Sequence, residues 1–117
     1  MNPTTTTSEV ICSDKVEGTS VYNSTGEKLG SIDNLMIDKR SGQVRHAVLE
    51  FGGFLGLGTD RYPLPWSMLK YDTERDGYVV PIDKNRLNDA PRYAHTEASP
   101  FLNDAGYGQR VNNFYGY

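Results

Sequence analysis

Between Gly18 and Pro65, apolar runs of strand length are cut at short intervals by turns that carry glycine, and this spacing restricts the fold more than any other feature of the chain. Thr19-Ser20-Val21-Tyr22 reads as a first strand, and Asn23-Ser24-Thr25-Gly26-Glu27 as a turn in which Gly26 supplies a positive φ. Leu29 to Asp38 is a longer strand whose alternation falters at Leu35-Met36-Ile37, which predicts burial on both faces or a bulge there. After the turn Asp38-Lys39-Arg40-Ser41-Gly42, the strand Gln43 to Phe51 puts Val44, His46 and Val48 on one face and Ala47, Leu49 and Phe51 on the other. Asp60 to Leu64 is a fourth strand. Pro63 and Pro65 cannot donate to a ladder, so they mark an edge or a strand end. Strands spaced this closely predict a small all-β barrel rather than a βαβ fold.

Downstream, Pro65 to Leu69 reads as a helical turn that plugs an open end of the barrel, Tyr78-Val79-Val80 as a strand, and Asp83 as the N-cap of a short helix through Asn88. Beyond Ala90 the composition turns to proline and small polar residues. Tyr107, Val111 and Phe114 then recur at i, i+4 and i+7, one face of a helix beginning near residue 104 and weakened by Gly106 and Gly108. Residues 1–14, rich in Thr, Ser and Asn, lack the apolar surface that offsets ordering entropy. The expected organisation is a flexible segment over 1–14, a β domain over 15–90 and a partly helical tail over 91–117.

With 12 basic and 15 acidic residues interspersed along 117, the chain has no clustered basic face of the kind direct nucleic-acid binding requires. Cys12 is the one cysteine, so no intrachain disulfide forms and a reducing compartment is expected. Met1 to Ser13 has neither a basic n-region nor an apolar h-region, and no apolar run approaches the roughly 20 residues of a membrane helix. A cytoplasmic protein without membrane insertion is the expectation.

No set of residues composes a catalytic site. Asp72-Thr73-Glu74-Arg75-Asp76-Gly77 with Asp83 approaches a calcium-loop pattern, but position 12 carries Asp rather than the bidentate Glu, and Pro81 obstructs an exiting helix. It reads as a solvated hairpin turn. The loop Gly52 to Gly58 leads into a strand rather than a helix and holds no lysine, which argues against a phosphate cradle. Its Phe54, Leu55 and Leu57 either cap the core or form an exposed contact patch. His46 and His95 have no zinc-type spacing and no triad order; His46 reads as a hydrogen-bonded structural residue, with proton buffering at a surface position as the rival. Of the eight tyrosines, Tyr93, Tyr107, Tyr115 and Tyr117 lie beyond residue 90 and offer an aromatic contact face. No metal or cofactor is expected.

Three elements in order resemble the PRC-barrel domain family: Tyr22 to Ile32 with its Ser-Thr-Gly-Glu turn, Ser41 to Phe51, and Gly52 to Gly58 followed by Tyr62-Pro63-Leu64-Pro65-Trp66. The resemblance spans about residues 16–90. It implies a six-stranded barrel of the kind found in the cytoplasmic domain of the photosynthetic reaction-centre H subunit and at the C-terminus of a ribosome-maturation factor. Both are docking roles. This chain has neither the transmembrane helix of the first nor the N-terminal domain of the second, so it is most similar to stand-alone bacterial members. The expected function is non-enzymatic: an adaptor that binds another protein through Phe54, Leu55, Leu57, Tyr107 and Phe114, and that forms a homodimer in which a second subunit covers the tail. Three alternatives stand beside it. One is accessory attachment to a photosynthetic or other membrane electron-transfer complex, peripheral to the membrane. The others are association with ribosomes or RNA processing, and a barrel that binds a small ligand.

Overall fold

One side chain organises the first hairpin. Asn23 ends β1 (Ser20–Asn23), and its Oδ1 accepts hydrogen bonds from the Thr25 amide at 3.1 Å, the Thr25 hydroxyl at 2.8 Å and the Glu27 amide at 2.8 Å. These bonds satisfy a nearly buried amide side chain and aim the chain through Gly26, at φ 91°, into β2 (Lys28–Ile37). Asp38 does the same for the second hairpin, accepting from the amides of Arg40 and Ser41 before β3 (Val44–Phe51). Those two amides, with the Arg45 guanidinium, hold the Asp38 carboxyl at a pKa of about 2.

The computed structural model describes residues 9–52 and 58–117. After β3 come β4 (Asp60–Pro65), a 3₁₀ turn at Trp66–Met68, β5 (Lys70–Asp72) and β6 (Gly77–Val80). A second 3₁₀ segment (Lys84–Asp89), the short β7 (Tyr93–Ala94) and a C-terminal helix (Tyr107–Tyr115) follow. The first helical turn, Ser13–Val16, is α1, and the C-terminal helix is α2. Asp83 occupies the N-cap position of the Lys84–Asp89 segment but makes no side-chain capping bond.

The strands form one mixed sheet in the order β5-β6-β1-β2-β3-β4-β7, antiparallel throughout except for the parallel pair β1–β6. Val21, Leu29, Ile32, Ala47, Leu49, Tyr62, Leu64, Tyr78 and Val80 join in one buried cluster, so the sheet curls around this main core. Met68 and Leu87, from the two 3₁₀ segments, fill that core where the strands leave it open.

The expected closed, six-stranded barrel is corrected here: the sheet is open and has seven strands among the described residues. Two causes are visible. Pro63 and Pro65 lack donors, and the turn at Trp66–Met68 separates β4 from β5, so the chain does not return to close the ladder. The free side of β4 is instead taken by β7, which pairs only with Asp60 and Arg61 and stops short of the prolines. Neither β5, a three-residue polar strand, nor β7, a two-residue one, carries a period long enough to be read from sequence. The irregularity expected near Leu35-Met36-Ile37 is present as a register shift between Met36 and Ile37, and a second lies between Ile32 and Asn34.

Candidate functional site

The strand β3 is buried on both faces, and the second face needs a cover. Ala47 and Leu49 point into the main core, opposite Leu64 and Tyr62 of β4. His46 and Val48 alternate with them, and cross-strand pairing adds Met36 and Asn34 from β2 and Pro63 and Pro65 from β4 to this outer face. An apolar outer face of this kind is covered here by the chain's own C-terminal segment. Val48, Tyr93, Tyr107 and Val111 form a second buried cluster, with Met36, Phe101 and Tyr115 packed against it.

The aromatic residues of the tail make directed contacts. Phe101 and Tyr107 meet edge to face with centroids 4.9 Å apart, and the Phe101 ring lies 5.0 Å from that of His46. At the C-terminal end of α2, Arg86 stands 4.2 Å over the Phe114 ring and donates to the Phe114 carbonyl at 2.6 Å. At the rim, Arg61 pairs with Asp33 at 3.3 Å, whereas the Arg92–Asp60 pair at 3.5 Å lies on the opposite face of β4, where Arg92 stands over the Tyr62 ring. Gly108 permits the approach: a Cβ there would sit 3.1 Å from His46 Cε1.

His46 is the polar centre of this contact, only 5% exposed, with Nε2 2.9 Å from Asn112 Oδ1. The expectation of a hydrogen-bonded structural histidine describes its place; the rival reading of a surface proton buffer is overturned by its burial under α2. Desolvation lowers its pKa below 6.5, opposed by the Asn112 contact and the Gly108 carbonyl and assisted by the charge of Arg45. The neutral ring therefore belongs to the docked tail. Its stabilising contribution is complete above pH 6.5 and is lost as the pH falls from there through the lowered folded value. Protection of the α2 amides, taken relative to the intrinsic exchange rate at each pH, should fall as the pH drops from 7.5 to about 5, while the amides of β3 keep their protection; equal protection of α2 across that range would contradict the assignment.

The same contact holds three buried polar atoms with no hydrogen-bond partner: Asn34 Oδ1, Tyr107 Oη and Tyr115 Oη, the full set among the described residues. Burial pushes the Tyr107 phenol up to about 12 and raises that of Tyr115 as well. A buried hydroxyl without a partner costs about 1–3 kcal/mol. Tyr115→Phe should accordingly stabilise the protein by about 1 kcal/mol, read as a rise in thermal midpoint of about 4 °C; a fall would mean that the hydroxyl is satisfied.

Of the residues expected to contact a partner, Tyr107 is 7% exposed within the tail–sheet contact, and Phe114 lies partly buried between the main core and Arg86. Phe54, Leu55 and Leu57 lie outside the described residues. Sequence reasoning missed Met36, His46, Val48, Tyr93, Phe101 and Val111 as one surface. The signal was present in two halves: a strand apolar on both faces, and a tail with one apolar helical face that needs a seat. At the calcium-like loop, Asp72 accepts from the Glu74 amide at 2.9 Å and pairs with Arg75 at 3.1 Å, so its carboxylate serves the hairpin. No group of three or more acidic, histidine or cysteine side chains is placed to hold a metal ion among the described residues.

A curled sheet around one main core, with a 3₁₀ plug and an outer face that seats a helix, defines a small, mostly β domain. The family model for the PRC-barrel domain matches residues 9–87, well over half of the chain, and the chain belongs to that family. No curated protein matches it. The family match stops at Leu87, so β7, the connector and α2 lie beyond it. No helix among the described residues is long and apolar enough to cross a membrane.

Proposed function

We propose that this chain is a non-catalytic, cytoplasmic adaptor that binds another protein on the outer face of its sheet. One observation carries the reading: the face made by Met36, His46, Val48 and Pro63 accepts an aromatic, helical segment, supplied here by residues beyond the family domain. Apolar residues at the centre with the ion pair Arg61–Asp33 at the rim match the anatomy of a protein interface. Family membership supports the same reading, since fold alone does not supply a reaction.

The test is a pull-down with the tagged full-length chain, with and without nuclease, beside a Met36→Glu variant shown to be folded. A discrete protein partner that survives nuclease and is lost in the variant is the expected result. Recovery that depends on intact RNA would replace the adaptor reading with ribosome association, and a folded bait that retains nothing would count against stable docking.

A further inference from the structure

Deepening the docking reading, we propose that the segment Ser99 to Tyr117 is an exchangeable ligand of the outer sheet face, so that two copies of this chain associate by seating each tail on the other's face. The helix α2 has nine residues, glycine at its N-cap with no side-chain capping bond, and a second glycine inside it. Helices of this length do not persist alone in water, so α2 exists because it has a seat. Every copy of the chain carries an identical seat.

The tail is also built to move as a unit. Ser99 accepts from the Phe101 amide, and Asp104 accepts from the Gly106 amide and pairs with Arg110, so these turns are held within the segment itself. What ties it to the sheet upstream is β7, held at Asp60 and Arg61. Between the two lie the exposed residues His95 to Ala98, joined to the rest by the His95–Thr59 contact and a local turn onto Ala94. To pass the tail to a neighbour, that short connector must open and the tail's own contacts, His46–Asn112 and Arg86–Phe114 among them, must break and re-form on the other copy. Two of the three unpartnered buried polar atoms among the described residues, Tyr107 Oη and Tyr115 Oη, belong to this segment.

An exchanged pair regains every tail–sheet contact of the single chain. The tether gives the chain's own tail an effective concentration on the order of millimolar, so the closed monomer prevails in dilute solution and exchange grows with protein concentration. Shortening the connector removes that advantage, because the tail then cannot return to its own sheet while still reaching another.

The exposed Cys12, the one cysteine, permits donor and acceptor dyes on separate batches of full-length protein. Mixed near millimolar concentration, the batches should develop energy transfer slowly, with a dimer mass by light scattering. Deleting Thr96 to Ala98 should raise the dimer share at a fixed low concentration by about tenfold, and Val111→Asp should abolish it. If Val111→Asp fails to fold, as judged by Trp66 fluorescence, Met36→Glu tests the same contact from the sheet side. A dimer that persists in a folded variant of either kind overturns exchange by placing the interface elsewhere, and a monomer throughout, connector-shortened chain included, overturns it as well. In that last case a synthetic peptide of residues 99–117 separates the two readings: binding to the Val111→Asp chain would leave the docking face standing and remove exchange alone.

Discussion

Gly30→Ala is expected to destabilise the protein by about 3 kcal/mol or more, lowering the thermal midpoint by at least about 10 °C. Gly30 lies in β2 opposite Val21, and a Cβ built on it would stand 2.1 Å from the Glu50 carbonyl oxygen of β3. The obstacle is backbone in a central ladder, which cannot rotate aside, so two strands must part. Gly42 is the control. Its φ of 76° strains any other residue, yet nothing lies within 4 Å of a Cβ there, and Gly42→Ala should cost only about 1–2 kcal/mol. Thermal unfolding of the two variants side by side checks the argument, and equal losses would mean that β2 and β3 can separate more freely than this packing allows.

Val111→Asp is expected to unseat the tail while leaving the sheet folded. Val111 is fully buried among Val48, Tyr93 and Tyr107, and an unpaired carboxylate in that place costs several kcal/mol. A nine-residue helix has no reserve against such a loss. The main core is a separate cluster fed by β1 to β4 and β6, with Trp66 packed against it. Amides of α2 should therefore exchange freely while Trp66 fluorescence still reports one cooperative transition. Its midpoint will fall modestly, since Phe114 and Tyr115 also touch the main core. Collapse of both signals together would show that tail and sheet are one folding unit.

These two experiments also mark where the sequence could be read and where it could not. The four strands from Ser20 to Pro65 were legible because their turns carry local chemistry, the Asn23 and Asp38 side chains bonding to amides a few residues on. The alternation of β3 assigned His46 and Val48 to one face and Leu49 to the other, as the two clusters show. What covers that outer face was not legible, because the pairing of β3 with α2 joins residues more than sixty positions apart and leaves no local period. Gly30 and Gly42 look alike in sequence; only the neighbouring strand separates a glycine needed for space from one needed for its dihedral angle. The short β5 and β7 were invisible for a different reason: segments of two or three residues become strands only when an edge is offered to them.

The parallel pairing of β1 with β6 sets an order of events during synthesis. Val21, Tyr22 and Asn23 find their outer neighbours in Tyr78, Val79 and Val80, so one side of the first strand waits until nearly sixty further residues have been made. Through that interval the hairpins β1–β2 and β2–β3 can form behind an uncovered edge, and the ladder that joins the most distant strands closes late. A nascent chain halted soon after Pro65 would carry most of the inner face and an open β1, the arrangement most prone to pair with another chain.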